Sequence, residues 1–324
     1  MVSLTAVDGN AITVLVNHPT ADKFSELIRS RFPDLRVLSA NDAATLDRHV
    51  PEADVLLSNR FPVEVFDKAR RLRWFQCSNA GVDAILPIRE RVGDIIVTNA
   101  RGIHGDIIAD FVMMGMTMMQ WDFPRLMREQ SLKKWHPRTV APLAQRTLGI
   151  VGLGSIGAAI ALRGKAAGMT VVGSKRDVSQ PIAGVDTVFP PSGLAELLQL
   201  SDFVILAVPH LPETTRLIDR KQLQLMRRTA FLVNIARGSV VHESDLIEAL
   251  QVGTIAGAFL DVFEQEPLPS NSPLWTMSNV VVSPHIAGYP TDYTTRVFEI
   301  FEDNLQRFLE KKPLRNVVDL KRGY

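Results

Sequence analysis

The amino-acid sequence predicts an α/β protein with two doubly wound parallel-sheet domains, one inserted into the other, and three observations predict it. Short apolar runs alternate with helix-length segments along the chain, the rhythm of repeated strand, helix, strand units. The runs are continuously apolar rather than alternating, as strands are when helices cover both faces of a parallel sheet. A length of 324 residues exceeds one comfortable core and points to two domains.

In chain order, strands are expected at residues 12–16, 55–57, 74–76, 148–151, 170–174, 203–207, 231–234 and 280–283. After the glycines Gly102 and Gly105, residues 105–120 form a long apolar helix through Ile107, Ile108, Phe111, Val112, Met114, Met118 and Met119. Its methionines read as core filling, with a subunit contact as the functional alternative. A second break lies at Gly288-Tyr289-Pro290, ahead of a helix over residues 295–310. These breaks divide the chain into residues 1–100 with 288–324, and an inserted domain of residues 101–287. No short-period repeat is present, which excludes solenoids and propellers.

Composition narrows the function. The chain carries 36 Lys and Arg against 35 Asp and Glu, a formal net charge of +1, so no global field favours nucleic acid or an anionic membrane. The run Lys68, Arg70, Arg71, Arg73 is too short to argue otherwise and reads as a solvated helix end. Residues 1–10 lack the basic start and apolar run of a signal peptide, and no apolar stretch reaches membrane-spanning length. The single cysteine, Cys77, cannot form an internal disulfide and reads as a small buried hydrophobe. A cytoplasmic enzyme is the expectation, and with no His, Cys and carboxylate grouping at ligand spacing, no metal is expected.

The strand at 148–151 runs into Gly152-Leu153-Gly154-Ser155-Ile156-Gly157 and then into a helix through Ala158, Ala159, Ile160, Ala161 and Leu162. Gly152 permits a tight turn, Gly154 lets the backbone approach a pyrophosphate, and Gly157 allows the helix to pack closely on the strand. The helix N-terminus attracts the anion. Six residues alone would be a weak signal, but the flanking strands and helix are in register, so a dinucleotide site including Ser155 and Ile156 is expected. The next strand ends at Lys175-Arg176, where an NAD-selective site would place a carboxylate for the ribose 2′-hydroxyl. Two cations there suit a 2′-phosphate, so NADP is preferred. NAD remains possible through Asp177 if the strand ends later.

Ionisable groups stand at three further strand ends: Arg237 after Asn234-Ile235-Ala236, Glu266 after Asp261, and His285 after Ser283-Pro284. In an open α/β sheet, strand C-termini line the ligand crevice. Each residue alone could be bland: a surface cation, a solvated loop acid before Pro267, a satisfied histidine. Jointly, downstream of a dinucleotide fold, the three read as catalytic.

With these motifs, and with Ala80-Gly81-Val82-Asp83, Gly102-Ile103-His104-Gly105, Val208-Pro209, Pro212-Glu213-Thr214 and Asn316-Val317-Val318-Asp319, the chain resembles the D-isomer-specific 2-hydroxyacid dehydrogenases over nearly its whole length. The family includes glyoxylate/hydroxypyruvate reductases and phosphoglycerate dehydrogenases. The resemblance implies a Rossmann cofactor domain inserted into a flavodoxin-like substrate domain, with an active-site cleft between them. It implies hydride transfer from NAD(P)H to a small 2-oxo acid, giving a D-2-hydroxy acid. Arg237 would bind the substrate carboxylate and polarise the carbonyl, His285 would exchange the proton, and Glu266 would hold His285. Asn79, Ala80 and Gly81 would offer backbone N–H groups to the substrate. Asp261 would meet the nicotinamide carboxamide, and Val208, Pro209, Thr214, Ile235, Ala236 and Gly288 would lie against the cofactor.

Family members are homodimers as a rule, so a homodimer is expected. Trp135, in the polar insertion Lys134-Trp135-His136-Pro137, would shape a neighbouring subunit's pocket or anchor the dimer. His104 and His136 are read as structural or solvent-exposed, and His210, where the family more often has a leucine-like residue, is given no catalytic role. Glu266 argues against formate dehydrogenase activity, whose branch has glutamine there. A phosphoglycerate dehydrogenase often carries an appended regulatory domain, whereas this sequence stops at Tyr324. A dinucleotide-sensing corepressor usually has longer flanking extensions and would not need the intact Arg237, Glu266 and His285.

Overall fold

The computed structural model describes residues 11–60 and 63–323. Residues 1–10, read above for a leader, lie outside these, as does Tyr324. The chain divides into two compact units, Met1–Ile103 with Pro290–Tyr324, and His104–Tyr289.

The first unit holds five strands: β1 (Thr13–Asn17), β2 (Arg36–Ala40), β3 (Val55–Ser58), β4 (Trp74–Cys77) and β5 (Ile96–Thr98). Every pairing is parallel, and the order β2-β1-β3-β4-β5 is that of a flavodoxin-like sheet. Helices α1 (Ala21–Arg31), α2 (Ala43–His49) and α3 (Arg89–Val92) lie between the strands, and the C-terminal helix, numbered α10 (Tyr293–Leu309), returns to this unit. One sheet face packs Val14, Val16, Val55, Leu57 and Trp74 against Phe24 and Ile28 of α1 and Val297, Phe301 and Leu305 of α10. The other packs Leu15, Leu56 and Phe75 with Leu46 and Val92. Burial on both faces is why these runs are apolar throughout.

Two strands here escape the sequence pattern. In β2 the outer residues Arg36 and Ser39 interrupt the apolar run, and β5 is three residues long with Ile96 exposed. Both are edge strands, buried less evenly than central ones. The basic run also differs from a simple solvated face. Arg71 Nη2 lies 3.0 Å and Arg73 Nη2 3.8 Å from the carboxylate of Asp54, which also accepts the Thr13 N–H at 2.9 Å. Two cations thus neutralise a nearly buried acid that ties the start of β1 to the segment before β4.

The second unit holds β6 (Thr147–Val151), β7 (Thr170–Ser174), β8 (Thr187–Phe189), β9 (Phe203–Leu206), β10 (Phe231–Asn234), β11 (Gly257–Leu260) and β12 (Val280–Val282). They form one parallel sheet in the order β12-β11-β10-β9-β6-β7-β8. The chain starts in the middle at β6, runs outward to β8, then crosses back to β9 and runs outward to β12. The point of reversal, between β6 and β9, is where doubly wound sheets bind ligands beyond the strand C-termini. Helices α4 (Gly105–Gln120), α5 (Phe123–Ser131), α6 (Ser155–Ala166), α7 (Leu194–Leu200), α8 (Arg220–Leu225) and α9 (Glu243–Val252) complete the unit.

The long apolar helix divides its methionines. Met116 and Met119 fill the core with Ile108 and Val112, whereas Met113, Met114 and Met118 line an apolar surface hollow with Trp121, Phe123 and Leu126. After α5 the polar insertion folds back: Arg125 Nε, His136 Nδ1 and Arg138 Nη1 meet the Glu129 carboxylate at 2.8, 3.2 and 3.1 Å. The Arg125 hydrogen bond, helped by the other two, holds the Glu129 pKa down at about 2. Trp135, on this tethered segment, is 92% exposed. The strands β8 and β11 were not foreseen by pattern; β8 is a short edge, and β11 opens on Gly257, whose Cβ position would sit 2.4 Å from the Asn279 carbonyl oxygen.

Candidate active site

The glycine turn lies at the C-terminal end of β6. Gly152 has φ +105, and a Cβ there would stand 2.6 Å from the Ala207 carbonyl oxygen. Its N–H and that of Leu153 both donate to Ser174 O, at 3.1 and 2.9 Å, pinning the turn to the end of β7. A Cβ on Gly157 would stand 2.1 Å from Gly152 O and 3.2 Å from Ile150, whereas Gly154 faces open space. Two glycines are thus demanded by the protein's own packing, and the third leaves the backbone open to a ligand at the start of α6. This cradle fits a dinucleotide pyrophosphate, with Ser155 exposed and Ile156 half-buried beside it.

Strand β7 ends at Ser174, so Lys175 and Arg176 are the first residues beyond it and Asp177 is not drawn into the strand. The Asp177 carboxylate turns to Ser179, accepting its N–H at 2.9 Å, and the Ser179 hydrogen bonds lower its pKa. Arg176 Nη2 lies 2.5 Å from Glu213 Oε1. Val208, Pro209 and Thr214 follow β9, where Thr214 Oγ1 donates to Pro209 O at 2.6 Å and accepts the Leu211 N–H at 2.9 Å.

The ionisable candidates stand beyond three adjacent strands, β10, β11 and β12. After β10 the Asn234 side chain closes the turn: its Oδ1 accepts the Ala236 N–H at 3.1 Å and its Nδ2 donates to Arg237 O at 3.1 Å. Ile235 and Ala236 are buried in that turn, and the Arg237 guanidinium donates from Nη1 to Ala236 O at 2.7 Å. Beyond β11 the chain loops from Asp261 to Glu266. One Glu266 oxygen, Oε1, accepts the Phe263 N–H at 3.0 Å, and the other, Oε2, meets His285 Nδ1 at 2.7 Å. His285, beyond β12, has φ +54, a left-handed conformation uncommon for a non-glycine residue.

Asp261 supports it. Its carboxylate is 2% exposed and accepts three hydrogen bonds from the segment around His285. Ser283 Oγ donates at 2.6 Å and Ile286 N–H at 3.0 Å to Oδ1, and Ala287 N–H donates at 3.0 Å to Oδ2. One buried acid therefore holds the Ser283 side chain before the histidine and two backbone N–H groups after it, with Gly288 half-buried next in the chain. A second fixing contact is Gly238: a Cβ there would fall 1.8 Å from the Phe263 carbonyl carbon, so the turn carrying Arg237 lies directly on the loop carrying Glu266. Glu243 and Glu264 add a reciprocal pair, each carboxylate accepting the other's backbone N–H at 3.3 and 3.1 Å. Burial raises the Glu243 pKa. Sequence reasoning did not find the tight Gly238 contact, the Asp261 network or Glu213, since each depends on which loops become neighbours.

Asn79, Ala80 and Gly81 belong to the first unit. The Asn79 side chain donates to Asn59 O at 2.6 Å and accepts from the Tyr293 hydroxyl at 3.1 Å, while Asn99 Nδ2 donates to Ala80 O at 2.7 Å. Cys77 is buried, His104 is buried at 7% exposure, His136 belongs to the Glu129 cluster, and His210 is half-buried. Among the described residues no group of three or more His, Cys, Asp or Glu is placed to hold a metal ion, and no helix is long and apolar enough to cross a membrane.

Comparison with known proteins bears on this arrangement. Residues 113–287 match the family model for the NAD-binding domain of D-isomer-specific 2-hydroxyacid dehydrogenases. The chain belongs to this family. A glyoxylate reductase of Korarchaeum cryptofilum is 39% identical over 273 residues, spanning 82% of this chain and 81% of that one. A family member from Xanthobacter autotrophicus, solved with NADPH and MES, superposes with a TM-score of 0.88 at 32% identity, covering 97% of this chain and all of that one. An NADPH-dependent glyoxylate/hydroxypyruvate reductase from Sinorhizobium meliloti, solved with NADP and sulfate, gives 0.87 at 27% identity over 97% of this chain and all of that one. As a D-2-hydroxyacid dehydrogenase, the protein is an NAD(P)-dependent oxidoreductase that transfers hydride between a nicotinamide dinucleotide and a 2-oxo acid.

Proposed function

We propose that this dehydrogenase reduces glyoxylate, hydroxypyruvate or a similarly small 2-oxo acid to the D-2-hydroxy acid, with NADPH preferred over NADH. The observation that carries the chemistry is the 2.7 Å pair between His285 Nδ1 and Glu266 Oε2, at the end of the strand next but one to that of Arg237. With Nδ1 turned to Glu266, the opposite ring nitrogen, Nε2, is the one that gives a proton to the carbonyl oxygen, leaving neutral imidazole. The Glu266 carboxylate accepts from His285, and its bond to the Phe263 N–H keeps it from turning away. Arg237 binds the substrate carboxylate through its planar fork and draws charge from the adjacent carbonyl without itself losing a proton. Asn79, Ala80 and Gly81 are assigned by family resemblance to the same carboxylate.

Gly154, Ser155 and Ile156 hold the pyrophosphate on the turn that Gly152 and Gly157 allow to close. Val208, Pro209, Thr214, Ile235, Ala236, Asp261 and Gly288 line the remainder of the cofactor site. When bound, the dihydronicotinamide supplies the hydride to the carbonyl carbon. The preference for NADPH rests on Lys175 and Arg176, directly beyond β7, and it agrees with the NADPH and NADP bound in the related structures. The substrate choice is supported by the relatives named as glyoxylate reductases. The test is NADPH oxidation against a panel of 2-oxo acids: we expect turnover with glyoxylate and hydroxypyruvate, and a chain that turns over neither, or prefers NADH, refutes the corresponding part.

A homodimer is proposed on the apolar hollow of α4 and α5 that Met114, Trp121, Phe123 and Leu126 line, with Met127, Leu132 and Trp135 also exposed on the chain that follows. Contiguous apolar surface of this kind marks an interface. Sedimentation equilibrium should return twice the monomer mass, and a monomer at micromolar concentration would contradict the assignment.

A further inference from the structure

Resting on the NADPH reading, we infer that Glu213 is a specificity-determining residue that restrains the preference for the 2′-phosphorylated cofactor by occupying Arg176. Strands β7 and β9 are the two neighbours of β6. Arg176 follows β7 and Glu213 follows β9, so their 2.5 Å ion pair joins the segments that leave the two strands flanking β6, whose own C-terminal end carries the glycine turn. An ionic contact at that place belongs to the dinucleotide site by position.

Glu213 is not a loosely waving surface acid. It sits within the short turn Pro212–Thr214, which the two Thr214 hydroxyl bonds to Pro209 and Leu211 hold closed. The carboxylate is therefore presented from a fixed backbone. Asp177 accepts the Ser179 N–H, and Glu213 is bound to the Arg176 guanidinium.

A guanidinium binds a phosphate best through two parallel N–H bonds. With Nη2 committed to Glu213, a 2′-phosphate must displace that carboxylate or accept a poorer contact, and it also meets a like charge. A ribose bearing a 2′-hydroxyl meets neither cost. Glu213 therefore narrows the gap between the two cofactors by weakening NADPH, while leaving NADH nearly untouched. Because both side chains are about half exposed, the effect is modest, on the order of threefold to fivefold.

The test is a double-mutant cycle in equilibrium binding, read from the fluorescence of bound NADPH and NADH on wild type, E213Q, R176Q and the double variant. E213Q is expected to tighten NADPH by about threefold to fivefold with NADH unchanged, and the gain is expected to vanish when R176Q is also present. Unchanged NADPH affinity in E213Q overturns the inference, as does an equal gain for both cofactors or a gain that survives in the double variant. Two variants at the cations separate the two levels. If K175Q/R176Q leaves the ratio of NADPH to NADH affinity unaltered, the NADPH reading itself has failed; if R176Q lowers that ratio while E213Q does nothing, only the role of Glu213 has.

Discussion

The two halves of the seven-stranded sheet hold their functional side chains by different physics. Beyond β10, β11 and β12, Arg237, Glu266 and His285 sit in a set of backbone-directed hydrogen bonds anchored on the buried Asp261 and Asn234. Beyond β7 and β9, Arg176 and Glu213 are held by exposed charge pairing. Buried polar groups impose geometry, because a lost bond there leaves an unsatisfied group at a cost of about 1–3 kcal/mol. Exposed pairs are worth roughly 0–1 kcal/mol and are screened by salt. Such pairs suit the grading of affinity between two cofactors, whereas alignment for proton transfer requires the fixed half.

The sharpest way to break this comparison is at its chemical centre. Replacing His285 with Gln should depress kcat by roughly 10²-fold to 10⁴-fold while NADPH affinity stays within a factor of about two, since the change removes the proton donor and little of the cofactor site. Undiminished turnover in this variant would remove His285 from the reaction.

A smaller effect is expected where the two catalytic loops touch. Gly238→Ala places a methyl inside the Phe263 carbonyl, so the loop carrying Glu266 must move. We expect a loss of about 1–3 kcal/mol of stability, as for other overpacked sites, accompanied by a fall in kcat larger than any change in NADPH affinity. A fully active, equally stable G238A protein would show that the contact between these loops does not set the alignment.

The smallest effect concerns Glu243, whose carboxyl has its pKa raised, first by burial. A carboxyl with a higher pKa folded than unfolded binds its proton more tightly in the native state. Its destabilising share is therefore absent below the unfolded value of about 4.5 and grows as pH rises through the raised folded value. Glu243→Gln should accordingly raise Tm slightly at neutral pH and not at pH 4. Gln retains an oxygen to accept the Glu264 N–H, so a uniform loss of Tm at both values would mean that the hydrogen bond, and not the charge, dominates at this position.

Much of this site was legible in the linear sequence. The glycine turn could be read because its spacing is itself a motif: Gly157 answers to Gly152 and Ile150 nearby, although the Ala207 oxygen that Gly152 meets lies beyond β9. Arg237, Glu266 and His285 could be read because each follows a recognisable strand end, although β11 itself was visible only through Asp261. Asp261 was legible as a site residue by resemblance, but its three bonds around His285 were not, since they require β11 and β12 to be neighbours. Glu213 lay in plain view in Pro212-Glu213-Thr214 without any sign of its partner 37 residues earlier. The edge strands β2, β5 and β8 were missed because short, unevenly buried strands carry little apolar signal.

The sequence by itself determined the doubly wound parallel-sheet α/β architecture, the dinucleotide turn and the residue types available for reduction of a 2-oxo acid, because apolar periodicity, glycine conformation and side-chain chemistry are properties of short segments. The tertiary structure decided what those residues meet. Only the strand order brings the loops after β10, β11 and β12 together, ties the left-handed turn at His285 to a buried acid, and sets Glu213 on Arg176 beyond the two strands that flank β6. Contacts between loops distant in sequence follow from sheet topology, which no local pattern encodes.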